Sequence, residues 1–178
     1  MQRLPTEIAL AEQTRKFEAL RLDLERQEGE VIMARAHASS VIDAPIDQVW
    51  NRIRDFNGMA DWHPGIARSE IEGGKPSDQV GCVRVLTLQD GGKIREQLLE
   101  MSDLGHHYTY SILEGPLPVA NYRATLRLRR ISDGNRTFGE WSASFDPDPP
   151  EKRAEAENFV SNAVFQGGFD ALKKHFGG

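Results

Sequence analysis

Arg84 and Glu96 are the residues of this 178-residue chain whose types and spacing point most directly to chemistry. Over 80–88, Val80, Cys82, Arg84, Leu86 and Leu88 alternate with Gly81, Val83, Val85 and Thr87, the period-two pattern of a strand. Arg84 therefore shares a face with four apolar residues. The next stretch sets Ile94, Glu96 and Leu98 together on one face. A three-residue hairpin loop at Asp90-Gly91-Gly92 puts Arg84 opposite Leu98 and Leu86 opposite Glu96. The two charges are then diagonal neighbours, roughly 7–8 Å apart at Cβ. A two-residue loop would send them to opposite faces. A charge on an apolar face is costly unless paired. One reading is a polar pair inside an apolar pocket, able to orient a carbonyl or move a proton. The other is a structural ion pair, or two charges at the sheet rim. If both face a wet cavity, replacing either by alanine should cost little stability, because water solvates the charge that remains.

The elements that must position this pair can be read outward from it. A strand at 34–42 ends at Asp43-Ala44-Pro45, and Ile46, Val49, Trp50, Ile53 and Phe56 then recur at helical spacing. Pro45 fits the opening of that helix, Asp43 is a candidate cap, and Asp47 suits the first turn. Gly58–Gly65 is irregular, with one short helical turn. Strands follow at 66–72, 80–88, 93–102, 106–113, 121–131 and 136–145, separated by glycine- and aspartate-rich turns. With 34–42 these make seven strands. Prolines at 147, 149 and 150 stop the last one, and 151–176 reads as one helix. Its small residues Ala156, Ala163, Gly167 and Ala171 trace one line, which is expected to face the sheet and leave space for a ligand.

Composition narrows the function classes. A net charge of −5 gives no basic footprint for nucleic acid, and the arginines at 123, 127, 129 and 130 alternate with apolar residues as the solvated face of a strand would. The single cysteine, Cys82, excludes an internal disulfide and suits a reducing, cytoplasmic location, where it reads as a buried structural thiol. No apolar run approaches the ~20 residues of a membrane span, and the N-terminus lacks the apolar stretch of a secretory signal. His106 and His107 are adjacent and point to opposite faces, while His37 and His175 lack companions at ligand spacing, so no metal site is expected. Nor is there a phosphate loop, a nucleophile elbow or a dinucleotide fingerprint, and no cofactor is expected.

Residues 1–32 stand apart. Leu10, Phe17, Leu24 and Val31 recur every seven residues, which reads as a narrow amphipathic helix between Pro5 and Gly29. It could dock on the domain, pair weakly with a second copy, or precede a natural start at Met33. A monomer or a weak homodimer through this helix is expected, with the ligand-binding domain at 34–178. His63, in Trp62-His63-Pro64, could titrate near neutral pH or simply pack beside the tryptophan.

The sequence resembles the START-like helix-grip superfamily, in its polyketide cyclase/dehydrase and lipid transport branch, over about Ala34 to Phe176. The resemblance rests on SVIDAPIDQVW, DWHP, VGCVR, REQL, NYRAT and WSASF taken in order. It implies an α+β helix-grip fold: a curved seven-stranded antiparallel sheet wrapped around a long C-terminal helix. In proteins similar to the onion lachrymatory-factor synthase, an arginine and a glutamate at the positions of Arg84 and Glu96 are thought to act in catalysis. In the plant abscisic-acid receptors, the positions of Glu96 and Tyr122 help line the hormone pocket. The receptors' carboxylate-binding lysine aligns near His63, and their gate sequence is replaced by Gln89–Gly92.

The resulting expectation is a mainly apolar cavity lined from Trp62, His63, Leu86, Leu98, Tyr110, Tyr122 and Trp141. It would hold a small hydrophobic polyketide-, lipid- or aromatic-like molecule, in a carrier, sensor or chaperone. The alternative is a cyclase, dehydratase or isomerase in which Glu96 moves a proton and Arg84 stabilises negative charge on oxygen.

Overall fold

The computed structural model describes residues 33–177 together with Lys16 and Glu18. Of the predicted N-terminal helix, Lys16 and Glu18 are helical and exposed; its heptad stripe lies outside the described residues.

Seven strands form one antiparallel sheet: β1 (Ala34–Ile42), β2 (Ile66–Ile71), β3 (Val83–Leu88), β4 (Lys93–Ser102), β5 (His107–Glu114), β6 (Val119–Ile131) and β7 (Arg136–Pro147). Their order across the sheet is β1-β7-β6-β5-β4-β3-β2, so only the β1–β7 pairing is non-local at its edge. Alternation decides the faces. On β7, Thr137, Gly139, Trp141, Ala143 and Phe145 are all buried, and the residues between them are half-exposed. The concave face needs a cover, and the C-terminal helix supplies it.

Helix α1 (Ile46–Ile53) buries Ile46, Val49, Trp50 and Ile53, as its spacing predicts. Asp43 does not cap it. Pro45 occupies the N-cap position with no side-chain cap bond, and the preceding Ala44 carbonyl accepts from the Thr137 hydroxyl instead, at 2.7 Å. Asp103, in the β4–β5 turn, accepts from Trp50 Nε1 and from Arg54 Nε, both at 2.8 Å, and so ties α1 to the sheet.

Two predicted elements differ from expectation. β3 begins at Val83 rather than Val80, because Gly81 adopts φ +88° and breaks the extended run, leaving Val80 exposed. The closing helix is not uniform. It runs as α2 (Arg153–Asn158), a π-helical stretch (Phe159–Gln166) and α3 (Gly167–Gly177). The i→i+5 pattern is seen where Gly167 N–H reaches the Asn162 carbonyl. The predicted line of small residues is displaced accordingly. A Cβ on Gly167 would meet nothing within 4 Å, whereas one on Gly168 would lie 3.0 Å from His63 Cδ2 and from Trp141 Cζ3. Gly168 is therefore the point of close approach. Below it, Phe165 stacks on Trp141 with centroids 4.6 Å apart, and Phe169 covers Gly139. This half of the concave face is filled.

Candidate functional site

The other half is open. A cavity of about 490 Å³ lies between the β3–β4 hairpin, the inner faces of β5 and β6, the loop after α1 and the π-helical stretch. Its volume is in the range of small-molecule sites. Leu86, Ile94, Ile112, Leu117, Val160 and Val164 give it apolar walls.

The hairpin carries Glu96 into this space. Its loop is Gln89-Asp90-Gly91, with Gly91 N–H bonded to the Leu88 carbonyl at 3.0 Å and Leu88 N–H to the Gly92 carbonyl at 2.8 Å. The left-handed residue that closes such a loop is Gly91, at φ +89°. The register expected from an Asp90-Gly91-Gly92 loop is thus corrected by two residues. Arg84 pairs directly with Glu96, and Leu86 with Ile94. Parity is unchanged, so the two charges share the inner face as predicted.

They do not share the cavity. Arg84 is wholly buried behind the wall, where its guanidinium lies 3.8 Å from the Phe56 ring centroid. Nε donates to Glu96 Oε2 at 2.7 Å, Nη2 lies 2.6 Å from the same oxygen, and Nη1 donates to the Phe56 carbonyl at 2.5 Å. Nη2 is close to Oε2 but poorly aligned, which leaves it without a proper hydrogen-bond acceptor. Glu96 stands in the cavity wall, 5% exposed. Its Oε1 takes no hydrogen bond among the described residues, because both contacts from Arg84 fall on Oε2. Burial pushes the Glu96 carboxyl above the ordinary carboxylate range, against the pull of Arg84.

Two tyrosines complete the polar end. Tyr110 is opposite Leu98 on β4, and its hydroxyl accepts from Trp141 Nε1 at 3.2 Å. Tyr122 is delivered by an irregularity in the β6–β7 ladder between Ala120 and Arg123, where Asn121 takes φ +51° and its amide bonds Asp146 at 2.7 Å. Burial raises both phenol pKa values well above the usual tyrosine range, so both are neutral hydroxyls.

His63 closes the side of the cavity. Gly65 N–H donates to its Nδ1 at 3.1 Å, which leaves the proton on Nε2 to donate to the Val164 carbonyl at 3.0 Å. Burial holds its pKa below the ordinary histidine value, with the Arg84 charge adding to the effect and the Val164 bond opposing it. His63 is thus a neutral strut between the loop and the π-helical stretch.

Of the residues expected to line the cavity, the structure brings His63, Leu86, Tyr110 and Tyr122 into the wall, with Glu96. Trp62, Leu98 and Trp141 are buried outside it. Trp141 belongs to the aromatic stack with Phe165, and the Trp62 ring is tilted against it with centroids 6.1 Å apart. Sequence reasoning missed Ile112, Pro116, Leu117 and the exposed Phe159 at the mouth. An apolar Leu117 between two prolines was the available signal for Pro116 and Leu117, and alternation with Tyr110 along one strand was the signal for Ile112.

The family described as polyketide cyclase / dehydrase and lipid transport matches residues 33–177. The chain belongs to that family. Abscisic acid receptor PYL10 of Arabidopsis thaliana is 30% identical over 135 residues, covering 74% of this chain and 73% of the receptor. The solved structure of XoxI from Bacillus cereus superposes with a TM-score of 0.71 at 35% identity, covering 80% of this chain and 95% of that one. A solution structure from Thermobifida fusca gives 0.72 at 28% identity, covering 80% and 93%. These neighbours share the α+β helix-grip architecture.

Proposed function

We propose that this protein binds a small hydrophobic metabolite, polyketide-, lipid- or aromatic-like, in the cavity between sheet and C-terminal helix, and acts as a carrier, sensor or chaperone in the cytoplasm. The observation that carries this reading is the apolar-walled cavity of about 490 Å³, in whose wall one carboxylate oxygen of Glu96 has no partner among the described residues. The 30% identity to an abscisic acid receptor supports binding over structure alone.

An enzymatic reading draws on the same Glu96, whose raised pKa would suit proton transfer in a cyclase, dehydratase or isomerase. It has no support from Arg84 as an oxyanion stabiliser, since that guanidinium is turned to Glu96 and to the Phe56 carbonyl and is absent from the cavity wall.

Ala163 offers a test. It is exposed and lines the cavity from the π-helical stretch, so Ala163→Trp should obstruct the space without disturbing the core. Titration with the neutral dye N-phenyl-1-naphthylamine should give saturable fluorescence enhancement, weakened at least about tenfold in Ala163→Trp at unchanged Tm. Equal binding by both proteins would mean the dye sits elsewhere and would count against the reading.

A further inference from the structure

We infer that the cavity selects an uncharged hydrophobic molecule bearing a hydroxyl or similar hydrogen-bond donor, and turns away carboxylates. This rests on the proposed binding function and specifies the chemistry of the ligand.

No lysine or arginine lines the cavity among the described residues. Arg84, the nearest cation, has Nε and Nη2 against Glu96 Oε2 and Nη1 on the Phe56 carbonyl, all behind the wall. The charged residues that do line the space are Glu96 at the polar end and Asp90 in the hairpin loop, both acidic. His63 cannot act as a cation without losing the Gly65 N–H bond to Nδ1. The Arg84 charge is taken up by Glu96, so an anionic ligand would give up its water for a cavity wall that offers it no free cation among the described residues.

A donor fares differently. Glu96 Oε1 is an acceptor with no partner among the described residues, in a side chain 5% exposed, and leaving such an atom unmatched under a ligand is costly. A ligand hydroxyl satisfies it. The ligand oxygen can in turn accept from a tyrosine hydroxyl at this end, where Tyr110 and Tyr122 line the cavity as neutral phenols. One hydroxyl thus meets an acceptor and a donor together. An ether or a hydrocarbon of equal size would leave Oε1 desolvated and unpaired.

Three probes of one shape separate these effects: 2-naphthol, 2-methoxynaphthalene and 2-naphthoate, each competing with N-phenyl-1-naphthylamine at pH 7.5. The expected result is displacement by 2-naphthol at least about tenfold tighter than by 2-naphthoate, with 2-methoxynaphthalene also weaker than 2-naphthol. If 2-naphthoate displaces as well as 2-naphthol, the charge selection is wrong. If 2-methoxynaphthalene matches 2-naphthol, the role of Glu96 Oε1 as acceptor is wrong. If the dye itself does not bind, the binding function fails first, and the ligand class fails with it.

Discussion

Glu96 faces a cavity and Arg84 does not, so the two halves of one ion pair should respond differently to change. Removing Arg84 leaves a buried carboxylate without its partner. Arg84→Ala should therefore cost ~3–5 kcal/mol, and adding Glu96→Gln should restore part of it. Urea denaturation of the single and double variants measures both quantities. An Arg84→Ala protein as stable as the parent would show that water already reaches this pair. A low cost, as expected for a pair facing a wet cavity, is not predicted at Arg84, whose guanidinium lies against the rings of Phe56 and Tyr110. Alternation alone placed both charges on the inner face correctly. It did not fix the register, because Gly91 and Gly92 are equally able to take the left-handed position that closes the loop. Which glycine does so sets whether Glu96 stands beside Arg84 or one pair away. Oε1 being free was not legible at all, since it depends on how the guanidinium approaches.

The closing helix shows what is gained and lost at the level of an element. Its extent and apolar content follow from the sequence, and Val160, Phe169 and Leu172 are buried as the pattern requires. The π-helical stretch is not visible in that pattern. Its i→i+5 bonding adds about one residue to a turn and so moves the inward-facing position by one, from the predicted Gly167 to Gly168. This shift makes two adjacent glycines opposite in effect. Gly168→Ala would push a methyl to 3.0 Å from His63 and Trp141 and should destabilise by ~1–3 kcal/mol. Gly167→Ala meets open space and should stabilise by up to ~1 kcal/mol through helix propensity. Thermal melts of the two variants decide it. Equal effects at both positions would mean that the helix does not lie on the sheet in this rotation.

Across the whole molecule, the order strand, short helix, strands, long helix was enough to read the helix-grip fold. The division of its interior was not. Trp62, Tyr110, Tyr122 and Trp141 all read as pocket lining, but Trp62 and Trp141 serve packing. Trp141, Phe165 and Phe169 fill one end, while Tyr110 and Tyr122 border the open end. The difference arises from helix residues far away in sequence, so strand patterns cannot carry it. The central claim is that the open end takes the ligand, and methyl NMR tests it most directly. Spectra of the isotope-labelled protein recorded during titration with N-phenyl-1-naphthylamine should show saturable shifts at the methyls of Leu86, Ile94, Ile112, Val160 and Val164, which line the cavity. The exposed Val41, Val80 and Leu104 should stay unmoved. Shifts confined to those exposed methyls, or none at the cavity wall at saturating dye, would contradict the account.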